Sequence, residues 1–271
     1  MRKLLKYDLK AVFRLWWIFS AAALAAGPLG GLCLRLLLRE DALRPQPLEE
    51  MFQAVAGLGV VAFVLLLGAY GLGTFVLVIW RYYSHFFTDE GYLTFTLPVS
   101  RTALLGSKLL TALIFQAASA AVTLISGFLF VTVGVFSTDY LAFLSDAFRF
   151  LFHIPALEAE GVLLIVQGGL LAAATTVLQM LFPFLCATLG AVIAQKHKLL
   201  TGISLYFGGR MAVSFLEEFG VVFTGFYIET FEFSIHTVLV AEFIALLVVS
   251  GRAAGCWFWN LHLLKKKLNL S

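Results

Sequence analysis

Two charged side chains lie within long apolar runs of the sequence, where a charge must be paired or solvated. Arg210 lies within an apolar run over 199–226, and Glu242 lies early in another over 234–263. Ionisable residues are costly in membrane hydrocarbon and usually pair or line a water-filled path. Counted from opposite ends of their runs at about 1.5 Å per residue, the two reach nearly the same depth. We therefore predict that Arg210 and Glu242 form an intramembrane ion pair, structural or otherwise, or that they jointly face a water-filled pathway.

The other reactive residue types form no pattern of a catalytic, metal or nucleotide site. The five histidines and three cysteines are scattered, without the spacing of metal ligands. The "GSK" at 106–108 lacks the earlier glycine of a phosphate-binding loop, and no hydrolase motif stands out. The sequence thus predicts no catalytic residue, no metal site, no cofactor and no enzyme activity in this chain. The net charge of +3 gives no indication of a nucleic-acid partner.

A polar segment, "TDEGYLTFTLPVSRTALLGSK" at 88–108, separates two apolar runs. Aromatic and basic residues just before it are typical of a membrane interface, and Gly91 permits a sharp turn. Ser100 is a good N-cap for the helix that follows Pro98. We predict a compact elbow over 81–103 on which Phe86 and Phe87 are exposed. Exposed aromatic residues often mark a protein contact, although an aromatic belt with a helix cap would need no partner.

The composition places the chain among helical membrane proteins. It has 271 residues, of which 61% are hydrophobic and only 13% charged. A soluble domain of this size carries nearer a quarter charged residues, and apolar runs of 18 or more residues indicate transmembrane helices. We predict an all-α polytopic membrane protein, one domain over 1–271, with six transmembrane helices. The predicted spans are 15–38, 54–80, 104–136, 162–194, 199–226 and 234–263.

The distribution of charge predicts the orientation of these spans. Both termini, the 81–103 segment and the 195–198 loop would share one side, which holds most of the 19 Lys and Arg. The loops of the other side hold most of the 16 Asp and Glu. Short cytoplasmic loops are enriched in Lys and Arg, so we place the first side in the cytoplasm. Both termini and the 81–103 elbow are therefore predicted to be cytoplasmic.

The first 14 residues have the pattern of an amphipathic helix. Leu5, Leu9 and Val12 would share one face, with Lys6 and Lys10 on the other. This pattern favours an interfacial elbow helix over 1–14 that lies on anionic membrane lipids; a cleaved signal peptide is the alternative. Further along, the spacing Gly27-x-x-x-Gly31 would allow a close helix contact.

At the polar segment the sequence resembles a known family. "EGYLTFTLPVSRTALLGSKLL" is similar to the corresponding segment of bacterial type-2 ATP-binding-cassette (ABC) exporter permeases, particularly the short six-span permeases. "MRKLLKYDLKAVFR" and "LLKKKLNL" resemble their connecting helix and tail. The resemblance implies that the elbow docks on a separate ABC ATPase subunit, which binds ATP and Mg, and that two permease chains assemble, as a homo- or heterodimer. The docking elbow would comprise Phe86, Phe87, Asp89, Glu90, Gly91, Tyr92 and Leu93.

The same resemblance implies a re-entrant segment on the outer side, between the fifth and sixth spans. "EEFGVVFTGFYIETFEF" at 217–233 occupies that place, and its apolar stretches are too short to span a bilayer. An outer gate is expected there; a plain amphipathic loop is the alternative. The acidic residues of this segment are Glu217, Glu218, Glu229 and Glu232.

These features favour one function and leave two others open. We expect a permease subunit of an ATP-driven exporter in the bacterial cytoplasmic membrane, with an amphipathic peptide, lipid or drug as substrate. A non-transporting sensor or resistance component would bind a peptide without ATP-dependent flux. An ion-driven secondary transporter would usually show inverted repeats and acidic residues at mid-membrane, of which Glu242 is one.

Overall fold

A computed structural model describes residues 2–38, 46–88, 91, 96, 99–152, 159–194, 196–228 and 235–266 of the chain. The described residues form seven α-helices and no β-strand. The helices are α1 (Arg2–Leu37), α2 (Gln46–Phe87), α3 (Arg101–Gly134), α4 (Thr138–Phe152), α5 (Ala159–Ile193), α6 (Lys198–Ile228) and α7 (Ile235–Lys266).

Five of these helices are long and apolar enough to cross a membrane. They comprise Leu4–Leu37, Leu48–Phe87, Arg101–Gly134, Glu160–Ile193 and Ile235–Lys265. These stretches cover the first four predicted spans and the sixth. Over the fifth predicted span the chain is helical, as α6, but α6 is not among the five. The prediction of a helical, multi-pass membrane protein is thereby confirmed, and the count of six spans stays a prediction.

The surface of α2 shows why this fold needs lipid. Leu58, Leu65 and Leu72 recur every seven residues, about two helical turns, so they lie on one face. Each is close to 70% exposed. A continuous row of exposed leucines is unfavourable in water and suits contact with lipid chains. The architecture is that of a protein embedded in a membrane.

The N-terminal helix differs from the predicted elbow over 1–14. The amphipathic start and the apolar run form one helix, α1, of 36 residues, and therefore about 54 Å long. No Gly or Pro occurs before Gly27, so no residue interrupts the helical hydrogen bonds at the predicted junction near Leu15. A separate elbow helix is thus not what the structure shows. Whether the first turns lie on a membrane surface stays a prediction.

Helix α4 lies in a segment predicted as a loop. Its 15 residues are too few to cross a bilayer. Ser137 caps it, because the Ser137 hydroxyl accepts a hydrogen bond of 3.2 Å from the backbone amide of Tyr140. The Tyr140 hydroxyl in turn lies 3.0 Å from the Thr132 hydroxyl of α3. The capped start and this contact with α3 favour a helix here, although the segment has no long apolar run.

The chain divides into two compact units. One comprises Lys6–Val78 and Ile114–Ala156. In it α1 approaches α3 closely: β-carbons at Gly27 and Gly31 would come within 2.6 Å of the backbone oxygens of Ser126 and Phe130. Any side chain would push the helices apart, so the close contact predicted from Gly27-x-x-x-Gly31 is confirmed. The Ser126 hydroxyl strengthens it by donating a 2.7 Å hydrogen bond to the Ala23 carbonyl oxygen.

Hydrogen-bonding side chains also join α1, α2 and α3 within this unit. The Ser119 hydroxyl accepts hydrogen bonds from the Trp16 indole nitrogen (2.7 Å) and the Tyr70 hydroxyl (3.2 Å), and it donates one to Thr74 (3.2 Å). Ser20 lies 2.9 Å from the Tyr70 hydroxyl. Such groups need partners inside a membrane, where water is scarce. This cluster therefore fixes the register of three helices.

The second unit comprises Met1–Leu5, Ile79–Leu113 and Leu157–Ser271. Helix α5 packs against both α6 and α7. It meets α6 through glycines: a β-carbon at Gly190 would lie 2.5 Å from the backbone nitrogen of Gly202. This backbone contact allows a tight turn between the end of α5 and the start of α6. The three helices α5, α6 and α7 frame the candidate site.

Candidate functional site

A cavity of about 550 Å³ lies among α5, α6 and α7. Its wall contains both polar and apolar side chains. The polar side chains include Gln179 of α5, Arg210 and Glu217 of α6, and Arg252 of α7. The apolar side chains include Leu178, Phe182, Val213, Val249 and Trp259. Cavities of this size with a few convergent polar groups are typical of small-molecule sites. All of these residues belong to one compact unit.

A salt bridge crosses the cavity between α6 and α7. The Arg252 Nη1 atom donates a hydrogen bond to Glu217 Oε1 at 2.7 Å. Arg252 lies near the middle of the span Ile235–Lys265, about 20 Å or more from either end at 1.5 Å per residue. A charge at that depth is costly unless it is paired, and the Glu217 carboxylate supplies the partner. We did not predict this pair from the sequence.

The salt bridge also shows the relative direction of α6 and α7. If they ran parallel with Glu217 beside Arg252, about 42 Å would separate Ile228 from Ile235. Seven residue steps can extend at most about 25 Å. The two helices must therefore run antiparallel. Arg210 precedes Glu217 and Glu242 precedes Arg252, so in antiparallel helices they lie on opposite sides of the salt bridge.

This arrangement separates the two residues that we predicted to pair. Arg210 and Glu242 lie about 25 Å apart along the helix axes, and no contact joins them in the described part of the chain. The prediction of an Arg210–Glu242 ion pair is therefore wrong. The prediction assumed that the ends of the two apolar runs lie at the surfaces of a hydrocarbon core about 30 Å thick. Helices α6 and α7 have 31 and 32 residues, and so exceed that thickness by about 16 Å.

Glu242 lies instead between α7 and α5. Its Oε1 atom is 3.8 Å from the position that a β-carbon on Gly168 would take. Its Oε2 atom is buried without a hydrogen-bond partner. The Oε1 atom of Gln167, which precedes Gly168 in the chain, is also buried without a partner. Buried polar atoms without partners are rare in native proteins. Glu242 is thus a separate intramembrane acid, remote from the cavity.

The base of the predicted docking elbow is anchored to the helices that line the cavity. Tyr82, near the end of α2, is 1% exposed. Its hydroxyl lies 2.8 Å from the Thr188 hydroxyl of α5 and donates to Oδ1 of Asn260 of α7 at 3.3 Å. Its ring stacks on Phe184 of α5, with centroids 4.1 Å apart. These contacts join α2, α5 and α7 at one point, which we call the Tyr82 junction (Tyr82, Phe184, Thr188 and Asn260).

Two residues of the predicted elbow are not exposed. Phe86 is 0% and Phe87 is 8% exposed, and both rings pack beside Tyr82. The prediction that they carry apolar surface into the cytoplasm is wrong, because the last turn of α2 is turned into the core. An aromatic residue at a span end can occupy an interface or a core, and sequence alone does not distinguish these environments.

The remaining part of the elbow is described only in places. Gly91 is buried, and a β-carbon there would lie 2.6 Å from the Phe86 carbonyl oxygen, so only glycine leaves room for this close approach. Ser100 caps α3 as predicted: its hydroxyl accepts a 3.3 Å hydrogen bond from the amide of Ala103. Asp89, Glu90, Tyr92 and Leu93 lie outside the described residues.

The predicted outer segment over 217–233 begins inside α6. Glu217 and Glu218 are both exposed, and the helix continues without interruption to Ile228. The structure thus shows no separate element beginning at residue 217. No Pro occurs in this stretch, and α6 extends into it as far as Ile228. Glu229 and Glu232 lie outside the described residues, and an outer gate stays a prediction.

The described residues contain no group of three or more His, Cys, Asp or Glu that could hold a metal ion.

The paired charges of the cavity had a sequence signal that we did not use. Arg210 and Glu217 are seven residues apart, about two turns, and therefore on one face of α6.

No protein-family model matches the chain. Comparisons with curated proteins and with solved structures find no match either.

Proposed function

We propose that this chain is the transmembrane permease subunit of an ATP-driven exporter of the ABC type. In this proposal the chain supplies the transport pathway and performs no covalent chemistry. A separate ATPase subunit binds and hydrolyses ATP with Mg, and docks on the elbow at 81–103. The similarity of 90–110 to type-2 exporter permeases and the multi-pass helical fold support this function.

The Tyr82 junction is the observation that carries the proposal. A transporter needs a mechanical connection between the surface where the motor acts and the site where the substrate binds. Here the end of α2, which leads into the elbow, is joined through Tyr82 to Thr188 of α5 and Asn260 of α7. The same two helices line the cavity. A displacement of the elbow would therefore move the cavity walls rather than a free loop.

Two permease chains, identical or different, would assemble with two ATPase subunits in the bacterial cytoplasmic membrane. ATP binding and hydrolysis would move the elbow and rock the helix bundles between two conformations, as ligand-driven changes between packed states do. The mixed polar and apolar wall of the cavity suits an amphipathic substrate.

Co-purification from the native membrane tests the docking step. The tagged chain is extracted in detergent as wild type, Glu90→Ala and Glu50→Ala, the last an exposed acidic residue at the start of α2. We expect an ATPase carrying its own nucleotide-binding motif to elute with wild type and with Glu50→Ala. It should be reduced with Glu90→Ala. Equal recovery from all three variants would overturn the docking site, and absence of any ATPase from folded wild type would overturn the permease function.

One observation favours a second function, that of an ion-driven secondary transporter. Glu242 is an acid within an apolar span, with one buried oxygen that has no partner, and such residues serve as proton relays in transporters. In proteoliposomes without ATP, an imposed proton gradient should then drive uptake that Glu242→Gln abolishes. Uptake that requires ATP and is retained in Glu242→Gln would exclude this function.

A further inference from the structure

The cavity among α5, α6 and α7 carries an uncompensated positive charge. Arg252 is neutralised by Glu217 at 2.7 Å. Arg210 also lines the cavity and has no acidic partner among the residues that the structure describes. Arginine remains protonated in proteins, so its charge cannot be removed by losing a proton. The described wall of the cavity therefore has one guanidinium group more than it has carboxylates.

The position of Arg210 makes this excess charge significant. Arg210 is about 10 Å along α6 from Glu217 and lies on the same face, near the middle of the helix. Glu217 is engaged by Arg252, whose own position is central in a candidate span. In the antiparallel pair Arg210 therefore lies level with Trp259, about 9 Å from the Lys265 end of the candidate span of α7. A guanidinium group in such a cavity is satisfied by water or by an anion. A guanidinium group presents paired N–H donors that match a carboxylate or a phosphate.

The remaining wall limits what else the ligand contains. Leu178, Phe182, Val213, Val249 and Trp259 provide apolar contact in the same cavity. About 550 Å³ lies within the range for molecules of drug or short-lipid size. A purely polar anion would leave this apolar wall without contacts. A cationic amphipathic molecule would meet a wall with an excess of positive charge.

We infer that this cavity binds an amphipathic molecule through a single anionic group, carboxylate or phosphate, with Arg210 as its contact. The inference rests on the proposed function in one respect, namely that the bound molecule is the transported substrate. Binding itself does not require the ATPase. The same chemistry is offered by a free amphipathic anion and by the headgroup of an anionic phospholipid.

Binding is measured on the full chain, purified in a nonionic maltoside detergent. The probe is dansyl-aminoundecanoic acid, whose fluorescence rises in an apolar site; its methyl ester is the uncharged control and a dansyl alkylamine the cationic one. We expect the acid to bind at least about tenfold more tightly than the ester, as an interaction between a guanidinium and a carboxylate requires. The amine should bind no better than the ester.

Three variants test the role of the arginine. Arg210→Gln should weaken binding of the acid by about tenfold and leave binding of the ester unchanged. Arg210→Lys should give an intermediate affinity, since lysine keeps the charge but not the paired donors. Arg35→Gln, an exposed arginine of α1, is the matched control and should bind like wild type. Equal affinities of Arg210→Gln and Arg35→Gln for the acid would overturn the inference.

A fourth variant changes affinity in the opposite direction, which separates the inference from misfolding. Glu217→Gln releases Arg252 and gives the described wall two unpaired guanidinium groups. The acid should then bind several-fold more tightly than to wild type. Unchanged or weaker binding, with the variant eluting as a single peak in gel filtration, would contradict a site governed by this charge balance.

The source of the anion is decided by competition. Phosphatidylglycerol that displaces the probe, when phosphatidylcholine does not, would identify the ligand as a lipid headgroup; displacement by neither would indicate a free amphipathic anion. Either result supports the site. Loss of acid-selective binding while an ATPase still co-purifies would overturn the site and leave the permease function standing. Selective binding without any ATPase would do the reverse.

Discussion

Replacing Tyr82 with phenylalanine removes one hydroxyl group from the Tyr82 junction and leaves the ring in place. The hydroxyl contacts Thr188 at 2.8 Å and Asn260 at 3.3 Å, so one substitution weakens the contacts of α2 with both α5 and α7. Interhelical hydrogen bonds in membrane proteins contribute about 0.6 kcal/mol on average and at most about 1.7 kcal/mol. The shorter contact should dominate. We expect Tyr82→Phe to lower the free energy of unfolding by about 1 kcal/mol.

Removing the ring as well should cost considerably more. Tyr82 is almost fully buried and stacks on Phe184 with an interplanar angle of 11°. Truncating a buried aromatic residue to alanine typically costs about 3–5 kcal/mol, because a cavity remains. Tyr82→Ala should therefore lower the free energy of unfolding by about 4 kcal/mol. The difference between the two variants separates ring packing from hydrogen bonding.

The assay is equilibrium unfolding of the purified chain by sodium dodecyl sulfate in mixed micelles. Tyr83→Phe is the matched control, since the Tyr83 hydroxyl has no hydrogen bond in the described structure, and its effect should be close to zero. A double-mutant cycle with Thr188→Val isolates the Tyr82–Thr188 contact and should give a coupling energy of about 0.5–1 kcal/mol. Equal stabilities of Tyr82→Phe and Tyr83→Phe, with no coupling to Thr188, would refute the junction.

Three further outcomes follow from the packing. Gly190→Ala should prevent recovery of folded protein, because its β-carbon would meet the backbone of α6. Gly169→Ala meets no neighbour and should be neutral or stabilising by up to about 1 kcal/mol. Gel filtration in detergent distinguishes the two variants. Ser119→Ala should lower the unfolding free energy by about 1–2 kcal/mol through three lost hydrogen bonds, and no measurable change would contradict the polar cluster. Arg252→Gln and Glu217→Gln should each lower the thermal midpoint, and the double variant should lower it by less than their sum; additive shifts would show that the salt bridge contributes nothing.

The sequence predicted the features of the fold that depend on length and apolarity. Five of the six predicted spans coincide with helices that can cross a membrane, because a run of about 20 apolar residues has few alternatives. The close approach at Gly27 and Gly31 was also predicted, since only glycine at that spacing leaves room for a neighbouring backbone. Helix α4 was missed because its 15 residues give an amphipathic rather than an apolar signal.

The site was predicted less well, because its geometry depends on neighbours that are distant in sequence. The sequence indicated Arg210 as a candidate functional residue. Its distance from Glu242 could not be predicted without knowing how α6 is aligned against α7. That register follows from the contact between Glu217 and Arg252. Phe86 and Phe87 likewise pack beside Tyr82. Tyr82 in turn stacks on Phe184, which is about 100 residues further along the chain. Periodicity within one helix contains no information on these contacts.

The central claim is that this chain acts as the membrane subunit of an ATP-driven transporter, and ATP hydrolysis by the affinity-purified assembly tests it most directly. The tagged chain is isolated from its native membrane in mild detergent, and phosphate release from Mg-ATP is followed in the eluate. We predict hydrolysis that co-elutes with the tagged chain in gel filtration and is reduced by Glu90→Ala. A folded, monodisperse chain that elutes without any ATP hydrolysis under the same conditions would contradict the account.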